Sequence, residues 1–302
     1  MNFDDLKECI KGIHIFAITP FKMTDNDVPP VDYEGVKKNT RFFASVEGER
    51  IITVCGGTGE FHSLTEEENR KIVAAAASES KGKSPLISGI GGNTECAIKM
   101  AKAAQEAGSD VVLVMPCEEI IEKGEDAIFQ HHAAIAEAVD IGVMPYRNKN
   151  SLFSIDLALR FLEIPNVVAL KDESGDINWF RDMIVATEER LPGITGGEML
   201  APYYYLAGAS GITTGVACLV PHISLEQYRA AAKGDYRGAL RVRDKLEPIT
   251  KFRGKTGSTM LKAGLEMMGL AGGPIRDTKA VISDEDRKTL RKLLVELGAL
   301  SG

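Results

Sequence analysis

No stretch of this 302-residue chain is rich in lysine and arginine, and its 36 basic against 43 acidic residues give a formal net charge of −7. A phosphate backbone demands a basic stripe, so nucleic acid is excluded as a partner. Cysteine is sparse and scattered. Cys9, Cys55, Cys96, Cys117 and Cys218 are odd in number and form no C-x-x-C pair, which argues against disulfide or zinc scaffolds and suits reduced thiols in the cytoplasm. The histidines, His14, His62, His131, His132 and His222, show no H-E-x-x-H or comparable spacing, so no metal is expected. An uninterrupted membrane-spanning run is also missing. The N-terminus carries Asp4, Asp5, Lys7, Glu8 and Lys11 where a signal peptide needs an apolar core. The longest charge-free stretch, Met199 to Leu225, is broken by Pro202, Gly208, Gly211, Gly215 and Pro221 and reads as buried interior. A cytoplasmic protein without membrane contact is the expectation.

What the chain does have is alternation. Apolar or β-branched runs recur at Ile13–Ile18, Ile51–Cys55, Leu86–Ile90, Val111–Met115, Ile141–Met144, Val167–Leu170, Ile194–Gly197 and Gly211–Gly215. Between them, helical periodicity marks Glu66–Ser80, Thr94–Ala107, Asp126–Val139, Ile155–Leu162, Ile177–Glu189 and Met199–Ala207. Each run is almost continuously apolar, as a parallel strand covered on both faces requires. Eight strand–helix units in series predict an α/β protein of the (β/α)8 TIM-barrel class, with a doubly wound open sheet as the structural rival. After Gly215 only helical periodicity follows, at Ser224–Ala232, Tyr236–Ile249, Ser258–Met268 and Asp284–Leu297. The expected division is a barrel over 1–223 and a C-terminal helical extension over 224–302. Capping boxes at Thr65/Glu68 and Ser224/Gln227 mark two helix starts.

Two nucleotide-binding patterns fail on inspection. Gly89-Ile-Gly-Gly-Asn-Thr94 follows a strand but has Thr94 where a dinucleotide fingerprint needs its last glycine. Gly254-Lys-Thr256 resembles the end of a P-loop, but Ile249 replaces the first glycine and no strand precedes it. Both read as turns.

Three other features sit at strand ends, where barrels place their sites. Cys55-Gly56-Gly57-Thr58-Gly59-Glu60 directly follows the second run, and its glycines leave successive N–H groups free to converge on a carboxylate; a plain tight turn would look the same. Lys171 ends the sixth run. Desolvation there lowers an amine's pKa and frees it to attack a ketone, although a snorkelling lysine also fits. Tyr146 ends the adjacent strand, where a phenol can relay protons or simply pack.

With these residues the sequence resembles the dihydrodipicolinate synthase / N-acetylneuraminate lyase superfamily of imine-forming lyases. Ala17-Ile-Thr-Pro-Phe21, Gly56-Gly-Thr-Gly-Glu60, Tyr146, Leu170-Lys-Asp-Glu-Ser-Gly-Asp176 and Gly208-Ala-Ser-Gly211 carry the likeness in order along almost the whole chain. The resemblance implies Lys171 as Schiff-base lysine and Tyr146 as proton relay. It implies a binding set of Gly56, Gly57, Thr58 and Thr213; the family's arginine for a second carboxylate would fall near Ser151, with Arg147 and Lys149 the nearest cations and Arg147 taken into the set. It further implies a small-molecule 2-oxo acid as substrate, no cofactor, and a homotetramer built as a dimer of dimers. Gly57 replaces the first of two threonines found in dihydrodipicolinate synthases, and Met115-Pro-Cys-Glu-Glu119 lacks their aromatic residue. The Gly-Gly-Thr-Gly-Glu-Phe61 loop, Lys262-Ala-Gly264 and Ala271-Gly-Gly-Pro-Ile-Arg276 look more like 5-dehydro-4-deoxyglucarate dehydratase. A dehydratase of a 2-keto-3-deoxy sugar acid is therefore expected. Dihydrodipicolinate synthase, a pyruvate-releasing aldolase and a non-catalytic keto-acid-binding barrel remain the alternatives.

Overall fold

The computed structural model describes residues 2–24, 27–151 and 153–301. In chain order the elements are α1 (Phe3–Cys9), β1 (Gly12–Phe16), α2 (Tyr33–Ser45), β2 (Arg50–Val54), α3 (Glu66–Ser80), β3 (Leu86–Ile90), α4 (Thr94–Ala107) and β4 (Val111–Val114). There follow α5 (Glu118–Ile121), α6 (Glu125–Glu137), β5 (Gly142–Arg147), α7 (Ile155–Phe161), β6 (Leu170–Asp172), α8 (Ile177–Ala186), β7 (Gly193–Gly196), α9 (Ala201–Leu206) and β8 (Gly211–Thr214). The chain continues with α10 (Pro221–Ala232), α11 (Tyr236–Thr256), α12 (Ser258–Met267) and α13 (Asp284–Glu296). The strands pair in parallel and in sequence order, and β8 closes on β1 with His14 opposite Thr213. This is the expected (β/α)8 barrel, with helices continuing beyond it.

Alternation along the strands divides the core. Phe16, Ile51, Ile87, Leu113, Met144 and Ile194 fill the barrel together with Leu6 and Ile10 from the α1 region, so α1 plugs the end opposite the strand C-termini. The His14 ring lies in this dry interior with Nε2 2.8 Å from the Ile10 carbonyl, and burial lowers its pKa to about 4. Residues of the opposite strand face, such as Ile13, Ile15, Ile52 and Val54, pack under the helices.

Several elements differ from the sequence expectation. The sixth strand is Leu170–Asp172, while Val167 makes only an isolated bridge to Val143. Hydrophobicity marked the approach to the strand and missed its charged mouth. The fifth strand runs on through Pro145 and Tyr146 to Arg147. A helix at Tyr33–Ser45, not among the expected segments, covers the β1–β2 crossover. The Thr65/Glu68 capping box is present at the start of α3. Ser224/Gln227 is not a helix start: α10 begins at Pro221, and both residues are fully buried inside it. Proline at the first turn needs no N–H partner, which lets the helix begin one turn earlier. The boundary expected at 223/224 falls within α10. Gly254–Thr256 is the last turn of α11, not a loop.

The tail is clasped to the barrel by buried charge. Lys262 Nζ lies 2.5 Å from Glu60 Oε1 and donates to the Pro274 carbonyl at 2.6 Å. The Arg276 N–H donates to Glu60 Oε2 at 2.9 Å, and its guanidinium spans both Glu68 oxygens at 2.8 and 2.5 Å. Glu68 also caps α3, and the Arg276 hydrogen bond pulls its pKa down to about 2. Asn39 adds a two-way amide pair with Ala271, at 2.8 and 2.9 Å. Glu60 and Lys262 are 5% and 1% exposed, so removing one partner strands the other charge. Lys262→Met is expected to lower the unfolding free energy by about 3 kcal/mol in denaturant titration, and adding Glu60→Gln to recover most of that loss.

Candidate active site

Three consecutive charged residues cross the end of the sixth strand, and the two-residue strand period sorts them. Lys171 and Glu173 turn into the barrel mouth, whereas Asp172 turns outward. Lys171 is paired with Tyr146 across the β5–β6 register. Its Nζ stands 3.3 Å from Glu173 Oε1, 3.9 Å from the centre of the Tyr146 ring and 4.3 Å from that of Phe16. The side chain is 2% exposed, and burial lowers its pKa against the opposing pull of the Glu173 charge.

Glu173 is the hub of the group. Its carboxylate accepts a short hydrogen bond from the Tyr146 hydroxyl and a 3.0 Å bond from Thr213 Oγ1 on β8, besides facing Lys171. Burial alone would raise its pKa; the Lys171 charge and the hydroxyl donors outweigh that, and the net shift is downward. The phenol of Tyr146 is pushed up by burial and by Glu173, so it stays protonated as a donor. Room for the carboxylate comes from Gly196 on β7, where a Cβ would lie 2.5 Å from Glu173 Cγ and Oε1.

The glycine loop lies across the Phe16 ring from the lysine. A Cβ on Gly56 would come within 2.9 Å of Phe16, so only glycine lets the backbone pass there. Cys55 and Glu60 bracket the loop in left-handed conformations, at φ 55° and 58°, which costs each non-glycine residue of order 1 kcal/mol and fixes the turn. Among the described residues the N–H groups of Gly57 and Thr58 donate to no backbone acceptor. Thr58 Oγ1 is 3.4 Å from the Arg253 guanidinium of α11.

Of the expected site residues, the fold therefore gathers Lys171, Tyr146 and Thr213 around one carboxylate, with Gly56, Gly57 and Thr58 on the adjoining rim. Arg147 is turned away. It follows Tyr146 on β5 and so points to the opposite face, 3% exposed, where it bonds Asp172 at 2.8 Å and Ser174 and stacks 3.8 Å from the Trp179 ring. Glu173 was legible as the strand neighbour two residues past Lys171, had the strand been extended beyond Leu170. No local sequence signal marks Arg253, which is 195 residues from Thr58.

A model of the dihydrodipicolinate synthetase family matches residues 9–297. The chain belongs to that family. Among relatives of this family, "Probable 5-dehydro-4-deoxyglucarate dehydratase" of Chelativorans sp. (strain BNC1) is 30% identical, over 98% of this chain and 99% of its own. A protein of the same name from Streptomyces griseus is 31% identical, over 84% of this chain and 85% of its own. Dihydrodipicolinate synthase of Oceanobacillus iheyensis superposes with a TM-score of 0.88 at 25% identity, over 99% of this chain and 100% of that one. The Bacillus clausii synthase gives 0.87 at 26% identity, over 97% and 99%.

Arg147 is expected to behave as a structural residue of this family fold. Arg147→Met should lower the unfolding free energy by about 3 kcal/mol by stranding the buried Asp172 charge. A raised substrate KM with unchanged stability would instead return Arg147 to the binding set.

Proposed function

We propose that this protein is a Schiff-base lyase that dehydrates a 3-deoxy-2-oxo sugar acid, the reaction class named for its Chelativorans and Streptomyces relatives. The observation that carries the reading is the buried Lys171 amine held 3.3 Å from a carboxylate that also bonds Tyr146 and Thr213. Such a cluster provides a nucleophile and an acid–base pair in one dry pocket.

The 2-oxo acid docks its carboxylate on the N–H groups of Gly57 and Thr58. Glu173 accepts a proton from the Lys171 ammonium, and the free amine adds to the C2 carbonyl. Protonation of the resulting carbinolamine hydroxyl, with Tyr146 and Glu173 sharing the transfer, releases water and leaves a cationic imine. The imine withdraws electrons from C3, two bonds from Nζ and so within reach of the same carboxylate. Glu173 takes the C3 proton, giving an enamine. The enamine pair then expels the C4 hydroxyl, which leaves as water after accepting that proton. Hydrolysis of the conjugated imine frees the product and Lys171, for a net loss of one water. Glu173 thus stands in for the loop hydroxyl that Gly57 lacks.

The same reading includes a cytoplasmic homotetramer acting on small 2-oxo acids such as pyruvate analogues. Exposed apolar side chains on and beside α8 and α9, Val185, Leu200, Tyr203 and Leu206, support assembly by giving it a surface to cover.

Borohydride trapping with pyruvate tests the chemistry. Lys171→Ala is expected to abolish both trapping and turnover, and persistence of either removes the imine. Glu173→Gln is expected to keep trapping while turnover falls about 10²–10⁴-fold. Stoichiometric pyruvate release from a 3-deoxy-2-oxo acid would make the enzyme an aldolase instead. The pH dependence adds a sign. The Glu173 charge raises the Lys171 pKa, so Glu173→Gln should move the onset of trapping to lower pH. An unchanged onset would uncouple the two groups.

A further inference from the structure

The carboxylate cradle described so far is neutral, a pair of N–H groups on a chain whose net charge is −7. Among the described residues one guanidinium approaches the loop, from outside the barrel and through the Thr58 hydroxyl. Arg253 lies near the end of α11, half-buried, with its guanidinium 3.4 Å from Thr58 Oγ1. Among the described residues no carboxylate lies within ion-pairing distance of it. The guanidinium occupies space left by Gly215, the residue after β8: a Cβ there would be 2.7 Å from one terminal nitrogen and 2.8 Å from Cζ.

A second charge shows what this arginine faces. Glu198, just past β7, is 1% exposed and has Oε1 without a hydrogen-bond partner. Burial raises its pKa while the more distant Arg253 charge opposes that shift. The guanidinium is therefore in electrostatic range of Glu198 without being committed to it, and its donors remain available at the loop. Planar guanidinium donors match a carboxylate in two-point geometry and add a positive charge, which the neutral N–H groups of the loop do not supply.

We propose that Arg253 binds the C1 carboxylate of the 2-oxo acid, completing with Gly57 and Thr58 the anion site that positions the ketone before Lys171. The proposal rests on the imine-forming reading above and adds to it a binding residue from the C-terminal helices. It makes Arg253 a determinant of preference for charged over neutral keto compounds.

The test compares pyruvate with its uncharged amide, pyruvamide, in borohydride trapping of the full-length protein. Pyruvate has only the C1 carboxylate, so a loss confined to it and not shared by pyruvamide reports on that group. In Arg253→Gln the pyruvate concentration for half-maximal trapping is expected to rise about ten- to a hundredfold, the scale of a charge-assisted hydrogen-bond pair. The value for pyruvamide should stay within about twofold, and Arg253→Lys should recover part of the loss. Equal weakening for both compounds, or none for pyruvate, overturns the assignment. If Arg253→Gln does not fold, Arg253→Met, which keeps an apolar stem and removes the charge, takes its place, and an unchanged pyruvate-to-pyruvamide preference there also overturns it. Failure of the wild-type protein to trap pyruvate at any concentration strikes the imine reading instead, so the two are separable.

Discussion

Everything at the barrel mouth depends on the desolvation of one amine. A lysine taken out of water is disfavoured as the ammonium, and its proton stays only where a nearby charge offsets that cost. Here that partner is Glu173, close enough to offset part of the burial penalty and hydrogen-bonded so that it stays ionised itself. Each neighbour then follows from steric or electrical need. Gly196 leaves space for the carboxylate, Thr213 and the Tyr146 hydroxyl satisfy its lone pairs, and Phe16 closes the side toward the glycine loop. The pleat that points Lys171 and Glu173 inward sends Asp172 outward, where Arg147 neutralises it. Two ion pairs of different purpose are thereby separated by the thickness of one strand.

The glycine loop is governed from a different direction. Its barrel neighbours supply shape, while its charges are answered by residues of α12 and the segment after it. Lys262 and Arg276 hold Glu60, Arg276 continues to Glu68 at the start of α3, and Phe21 lies under both cations at 4.4 and 5.0 Å. A loop whose Gly57 and Thr58 N–H groups meet no backbone acceptor has few bonds of its own to keep it in place, so residues outside it brace its geometry. The helices beyond β8 serve as that support.

Much of this was readable in the sequence, and the pattern of what was not has a physical cause. Continuous apolar runs announced the parallel strands because both faces are covered, and eight such runs in series favoured the closed barrel over an open sheet, which the β8–β1 pairing decides. Lys171, Tyr146 and the Gly56–Gly59 loop stood out because each follows an apolar run where no side chain of that type is needed for packing. Glu173 was missed because the strand was ended where hydrophobicity ended, one residue before the lysine. Arg147 was misplaced for a related reason: proximity in sequence to Tyr146 suggested proximity in space, and alternation put it on the other face. The α10 start was misread because Ser224 and Gln227 have the composition of a capping box, while the helix already begins at Pro221, whose missing N–H needs no cap. Arg253 and the Lys262 clasp had no local signature at all, since contacts between distant segments are a property of the closed fold.

The clasp also sets an order of events during synthesis. Chains emerge N-terminal end first, and the strands of a barrel can collapse as they appear. Glu60 leaves the ribosome early, yet its two cationic partners, Lys262 and Arg276, come from the last part of the chain. Until then Glu60 lacks both cations, and the left-handed turns at Cys55 and Glu60 rest on the loop's own backbone bonds and on Thr19. The barrel segment that carries Lys171 is therefore made well before the residues that brace the loop beside it, and the mouth can take its final shape only once Lys262 and Arg276 have arrived.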